Sequence, residues 1–317
     1  MLRAIVLGIV QGLTEFLPIS SSAHLAIVPR LLGYRPPELS FEILLHFGTL
    51  AAVVAYFARD LWGFVLGVVA PSRLGAAEAA VKRRLLLLLV VASVPAAALG
   101  LILSNWADEQ TKQPLRASVW LVVTTVVLIS AELYARNQTA RAVPVAYPDE
   151  GGVRRAPTTR AEIHHGRRSV GAAASGPVAA RVRTESAEEE VERLPVAKAL
   201  GIGLAQAVAL VPGTSRSGIT ISAGLFQGVS REAAARFSFL LSIPAILGAG
   251  VLKLSELSQA SEPKAQLVAG FLAAAISGFL AVSGLLRLLR TRTLWPFIWY
   301  RLVAGCIFVL LLTTVRR

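Results

Sequence analysis

The chain has 317 residues, 55% of them hydrophobic and only 16% charged, with a mean hydropathy of +0.63. Soluble domains carry roughly 25% charged residues, so this composition excludes an ordinary soluble α/β enzyme and describes a polytopic membrane protein. The net charge of +13 implies Arg-rich loops on the cytoplasmic side of a membrane, and no nucleic-acid partner is expected.

Apolar segments are predicted at 4–17, 20–33, 41–58 (with a continuation to 70 left open), 84–104 and 116–135. The polar stretch 136–195 follows, with ten Arg and eight acidic residues. It cannot bury a core and reads as a flexible cytoplasmic loop, and its His164-His165 reads as a solvated pair rather than a metal site. Apolar segments resume at 196–211, 217–228, 233–253, 265–286 and 295–315. No signal peptide separable from the first segment is expected. Cys306 lies in an apolar run and suggests neither a disulfide nor a metal cluster.

A bilayer span needs about 20 residues. The segments at 4–17, 20–33, 196–211 and 217–228 are too short, and Pro18, Pro212, Gly213 and Gly218 interrupt them. Short segments broken at matching places in two halves point to inverted repeats with a midplane site. Gln11 precedes Pro18 and a serine cluster, as Gln206 precedes Pro212 and another. Each cluster is followed by an apolar segment opening on an acid, Glu42 or Glu232. The expected fold is therefore an all-α polytopic membrane protein of two inverted-topology repeats. Each repeat is a broken re-entrant helix hairpin plus three transmembrane helices. The boundaries are 1–135 for the first repeat, 136–195 for the loop and 196–317 for the second. Lys and Arg number 18 in the loops assigned to one side against 8 on the other, which makes the first side cytoplasmic. On this layout the first hairpin dips in from outside, and both termini lie outside.

The two breaks carry the chemistry. Gln11 and Glu15 lie one helical turn apart and share a face. They can hold a hard cation through oxygen, with substrate phosphates completing the shell, or hydrogen-bond to each other across a helix interface. Ser20, Ser21 and Ser22 follow Pro18, and one of them can cap the next helix. His24, three residues after Ser21, suits proton transfer or nucleophile activation. In the second break, Pro212-Gly-Thr-Ser215-Arg216-Ser217-Gly-Ile-Thr220, Arg216 offers a planar fork for phosphate. Ser215, Ser217 and Thr220 add neutral donors. An Arg among apolar helices needs an anion, either Glu15 or a substrate phosphate. His46 faces the same cavity or merely packs. Glu42, Glu232 and Arg236 are expected to pair near segment ends, Gln206 to bond the second break, and Asp60 to pair with Arg59.

At Gln11-Gly-Leu-Thr-Glu15-Phe-Leu-Pro-Ile-Ser-Ser-Ser-Ala-His24, at Pro212 to Thr220 and at Glu232-Ala-Ala-Ala-Arg236-Phe-Ser-Phe-Leu-Leu-Ser-Ile-Pro244, the chain resembles the undecaprenyl-diphosphate phosphatase family. These are integral-membrane enzymes associated with bacitracin resistance. The resemblance implies release of the terminal phosphate from a C55 isoprenyl diphosphate lipid in the bacterial inner membrane, at a site opening outward. The monophosphate carrier so formed is recycled in cell-wall synthesis. It also implies a divalent cation, Mg²⁺ or Ca²⁺. By position, Gln11 and Glu15 fill the family's metal-binding pair, and Ser21 and His24 its serine and histidine. Ser215, Arg216 and Thr220 fill its phosphate-binding places. Gln11 stands where other members have Glu, and the 136–195 loop is longer than usual. The attacking group, whether Ser21, His24 or water, is left open, as is a homodimer. A transporter or flippase of a phosphorylated polyprenyl lipid is the alternative. An acid phosphatase of the other lipid-phosphatase class would need a second catalytic His that the chain does not offer.

Overall fold

The computed structural model describes residues 1–111, 113–142, 185–257 and 261–314, all helix, turn or loop. His164-His165 and most of the polar loop lie outside the described residues. In chain order the helices are α1 (Leu2–Phe16), α2 (Ser21–Leu31), α3 (Leu39–Tyr56), α4 (Ala58–Val69), α5 (Ala76–Thr111), α6 (Pro114–Ala142) and α7 (Ala187–Glu192). After these come α8 (Val196–Val208), α9 (Arg216–Phe226), α10 (Arg231–Leu252), α11 (Leu254–Leu257), α12 (Lys264–Leu289) and α13 (Trp295–Thr314).

Six helices, α3, α5, α6, α10, α12 and α13, are long and apolar enough to cross a membrane. Their outer faces carry side chains such as Ile102, Val126, Ile276, Val303 and Leu310, all exposed. Apolar surface of this extent is stable facing lipid and not facing water; the chain is a multi-pass membrane protein. The segment beginning at 41 does not continue to 70 as one helix, because the chain turns at Phe57 and starts α4.

The two halves interlock. α1 packs chiefly on α12, and α8 on α5. Small residues permit the close approach, as is usual between helices in lipid: a Cβ at Gly12 would fall 2.6 Å from the Ala274 carbonyl of α12. A core built around Phe16, Phe57, Phe237, Phe239 and Ile298 fills the centre.

Ion pairs gather near the ends of α4, α6, α7 and α10. Asp60 pairs with Arg236 at 2.8 Å rather than with Arg59, because Arg236 reaches it from the facing helix while a sequence neighbour cannot. Glu232 pairs with Arg290 at 2.8 Å, so the expected grouping of Glu42, Glu232 and Arg236 does not form. Arg231 grips the buried Glu132 with two hydrogen bonds. The end of the polar stretch is ordered. Ser186 and Glu189 form a capping box for α7, Val191 and Leu194 enter the core, and Glu192 binds Lys82 at 2.7 Å. The 185–195 segment is thus a docked element rather than loop, since two apolar side chains and an ion pair anchor it.

Candidate functional site

α1 ends at Leu17, whose successor is Pro18; without an N–H, proline cannot extend the ladder. The chain then turns through Ser20 at φ 73° and ψ 100°, the only non-glycine residue with positive φ among those described. Such a conformation costs of order 1–3 kcal/mol and persists only where neighbours enforce it. His24 is one enforcer, its Nδ1–H donating to the Ser20 carbonyl at 2.7 Å. α8 likewise ends before Pro212, and Gly213 turns at φ +92°. A Cβ at Gly213 would lie 2.0 Å from the Ala117 carbonyl, so this position admits only glycine. Ser215 then caps α9, its Oγ accepting the Gly218 N–H at 3.1 Å, as an N-cap serine does.

The breaks lie against each other. Ser22 Oγ accepts from the Gly213 N–H at 3.0 Å. Ser217 Oγ donates to the Leu17 carbonyl at 3.1 Å. Arg216 Nη2 donates to Glu15 Oε1 at 3.2 Å. The other oxygen of Glu15, Oε2, accepts from Ser21 Oγ at 2.7 Å and from Gln11 Nε2 at 3.1 Å. Arg216 also donates to the Ser238 carbonyl at 3.3 Å, leaving the rest of its five-donor fork for a ligand.

Beside this junction opens a cavity of about 670 Å³. Its polar end holds Glu15, Ser21, Ser22, Thr214, Ser215 and Arg216, with His46 3.7 Å from Glu15, and Glu42, Arg30 and Lys253 also line it. Leu25, Ile43, Phe47, Leu210 and Ile246 make the apolar side. Thr214 Oγ1 is buried there with no hydrogen-bond partner, a hydroxyl placed for an incoming acceptor.

Of the sequence-predicted residues, Glu15, Ser21, Ser215 and Arg216 line the cavity. Gln11 lies behind Glu15, fully buried, with its Oε1 unpartnered. Ser20, His24, Ser217 and Thr220 are buried in the walls. Ser20 Oγ meets Ser22 Oγ at 3.2 Å. His24 Nε2 accepts from Tyr300 Oη at 2.8 Å. Thr220 meets Ser238 Oγ at 2.6 Å and donates to the Arg216 carbonyl. Gln206, expected to bond the second break, has neither amide atom hydrogen-bonded; it is buried on α8, one turn before the break begins.

One site residue has no part in the sequence reading. Arg301 of α13 is only 1% exposed. It donates to the Pro18 carbonyl at 3.1 Å, to Leu121 O at 3.0 Å, to Thr125 Oγ1 at 2.9 Å and to Thr124 Oγ1. A Cβ at Gly218 would sit 3.2 Å from its Nη1. Arg301 therefore braces both breaks from behind. A lone Arg in an apolar run is the signal that would have found it.

The family model described as bacitracin resistance protein BacA matches residues 4–156 and 168–307. A protein of Geobacter sulfurreducens named undecaprenyl-diphosphatase is 38% identical over 307 residues, covering 96% of this chain and 95% of its own. Proteins of the same name from Pelotomaculum thermopropionicum and Chlorobaculum tepidum are 37% and 35% identical, covering 99% and 98% of this chain and 97% of their own lengths. With three interlocking motifs in place and similarity running nearly end to end, the chain belongs to the bacitracin resistance protein BacA family.

Proposed function

We propose that this chain hydrolyses undecaprenyl diphosphate to undecaprenyl phosphate and inorganic phosphate, returning the lipid carrier to cell-wall synthesis. The observation that carries the reading is the contact of Glu15 with Arg216, 201 residues apart, at the polar end of a half-apolar cavity. The relatives named undecaprenyl-diphosphatase supply the substrate. The diphosphate enters between the breaks, and the first isoprene units run along Leu25, Phe47 and Ile246 toward lipid.

Phosphoryl transfer is chiefly positioning and charge stabilisation. Arg216 binds phosphoryl oxygens through its free N–H groups, with Ser22, Thr214 and Ser215 as neutral donors. Ser21 Oγ attacks the terminal phosphorus while Glu15 Oε2, 2.7 Å away, takes its proton. The bond to the bridging oxygen breaks, the lipid monophosphate leaves, and water then hydrolyses the phosphoserine. Ser217 and Thr220 hold the second break and α9 in place. His24 and Ser20 hold the first.

The donor set near Glu15 fits a hard divalent cation, Mg²⁺ or Ca²⁺. Glu15 would supply a carboxylate, and Gln11 a carbonyl oxygen that has no other partner, once its amide turns so that Oε1 rather than Nε2 faces Glu15. Among the described residues no cluster of three or more His, Cys, Asp or Glu could hold a metal, so substrate phosphate oxygens would have to supply the remaining ligands. Bound there, the cation neutralises phosphoryl charge.

We read α1–α6 and α8–α13 as halves of opposite topology. The reciprocal packing of α1 on α12 and α8 on α5 supports this. The first hairpin enters from the outer face of the inner membrane and the second, inverted, from the cytoplasmic face, with the cavity open outward; the excess of Lys and Arg in the loops assigned to the cytoplasm supports this orientation. A flippase of the same lipid is disfavoured, because it needs an anion clamp but no serine hydrogen-bonded to a carboxylate.

Purified protein in detergent should release inorganic phosphate from undecaprenyl diphosphate and stop when a chelator is added. Label from the terminal phosphate should appear on Ser21 in early-quenched samples. Absence of phosphate release would remove the enzyme reading; release without labelled protein would replace Ser21 by water.

Arg301→Met is a test of the brace. The variant loses hydrogen bonds worth about 1.5–3 kcal/mol apiece. It also relieves a desolvation penalty of several kcal/mol for a buried cation whose partners are all neutral oxygens. The four lost bonds exceed that relief, so the variant should unfold at a lower temperature but still insert and purify folded. Turnover should nevertheless fall on the order of ten- to a hundred-fold, because Pro18 and the Ser20–Ser21 step lose their anchor. Thermal unfolding and kcat measured together check this; unchanged kcat would make Arg301 merely structural.

A further inference from the structure

We propose that His46 supplies a nitrogen ligand to the divalent cation at Glu15, making the site a mixed nitrogen–oxygen centre. The inference rests on the cation in the reading above and adds a residue to it.

His46 projects from α3 into the cavity, its side chain 39% exposed. Its Nδ1 lies 2.8 Å from the Glu42 carbonyl. A carbonyl oxygen only accepts, so Nδ1 carries the proton and donates it. In neutral imidazole the lone pair is then on Nε2. A ligating histidine is commonly held this way, its other N–H bonded to a backbone carbonyl that sets tautomer and ring orientation.

Nε2 stands 3.7 Å from Glu15 Oε2. With Nε2 unprotonated, its lone pair faces a carboxylate oxygen at that range; a proton on Nε2, which makes the pair an ion pair, or a bound cation relieves the repulsion, and the test below distinguishes the two. Ser21 and Gln11 already donate to Oε2, and neither lies on the His46 nitrogen. Nitrogen and oxygen ligands each about 2.0–2.2 Å from one metal are separated by roughly 3–3.5 Å at octahedral to tetrahedral angles. The observed gap exceeds that by a few tenths of an ångström, within a small side-chain rotation. The bonds of His24 go elsewhere, to Ser20 and Tyr300, so among the described residues His46 is the imidazole available to the cation. An imidazole suits transition ions such as Zn²⁺ or Fe²⁺ better than it suits Mg²⁺ or Ca²⁺; Mn²⁺, the weakest binder of the first-row series, serves here as the paramagnetic probe.

The test uses the full chain in detergent with Mn²⁺ and inorganic pyrophosphate, read by pulsed electron paramagnetic resonance. The parent should show coupling to a directly bound ¹⁴N. His46→Gln should fold, lose that coupling, and bind Mn²⁺ about 10-fold or more weakly, with Ca²⁺ binding little changed. Bound Mn²⁺ without ¹⁴N coupling in the parent, or coupling that persists in His46→Gln, overturns the proposal while leaving the cation at Glu15 intact. Failure of Mn²⁺ to bind, together with chelator-indifferent phosphate release, overturns both.

Discussion

Arg216→Ala is expected to lower kcat for phosphate release by about 10²–10³-fold, the usual loss when one preorganised donor to a developing oxyanion is removed. KM should rise as well, because the guanidinium meets the diphosphate in the ground state and in the transition state alike. Two effects compete in this variant. The phosphate loses its clamp, and Glu15 loses the cation 3.2 Å from its Oε1. Removing one partner of a fully buried pair costs about 3–5 kcal/mol. The side chains of Arg216 and Glu15 are 14% and 7% exposed and face a cavity, so the structural loss falls below that. The protein should insert and purify, with a lower unfolding temperature. Arg216→Lys separates the terms: it keeps the charge, restores most of the stability, and still loses turnover because a point charge cannot replace the fork. Phosphate release and thermal unfolding on both variants check the pair. Near-parental kcat in Arg216→Ala would remove this residue from the site.

The contact between the two breaks could be read from the chain because both carry polar groups at membrane depth, where each requires a partner. The cost of an isolated guanidinium and an isolated carboxylate points them at each other. The six spans follow from length and hydropathy, and the break positions from proline. Facing was harder to read. His24 follows Ser21 by three residues, which suggests a shared face. The cavity side of α2 instead carries Ser21, Ser22, Leu25 and Ala26, and the His24 ring turns to Tyr300. The α3 face of Leu39, Glu42, Ile43, His46 and Phe47 has clear helical spacing. Its direction was ambiguous because apolar residues surround it on every side, toward lipid and core alike. Asp60 shows the same limit: its sequence neighbour Arg59 invites a local pair, while the partner formed is 176 residues away. Arg301 was legible by the cost argument that singles out Arg216. Its partners, though, are carbonyls and threonine hydroxyls, which leave no charge pattern in a sequence.

Glu15→Gln isolates the carboxylate's chemistry from its shape. Glutamine keeps the side chain's volume but only one of the two acceptor oxygens: with its Oε1 toward Arg216 the bond between the breaks is kept and they should stay docked, while its NH2 takes the place that faced Ser21 and Gln11. The negative charge is gone, and three consequences separate by measurement. The proton of Ser21 has no acceptor of adequate basicity, which should cost about 10²–10⁴-fold in kcat. The proposed cation would lose the carboxylate that holds it, so residual turnover should no longer respond to added Mg²⁺ or to chelator. Arg216, freed from its internal anion, should attract the diphosphate at least as strongly as before, so KM should hold or fall. A drop in kcat with KM unchanged or lower marks an interaction used in the transition state rather than in binding. That is the opposite split from Arg216→Ala, whose KM rises. The two variants thus test the halves of one ion pair through different kinetic constants, on undecaprenyl diphosphate in detergent with and without Mg²⁺. Cation-stimulated turnover retained by Glu15→Gln would make Glu15 a structural counter-ion and move the base and the cation to another residue.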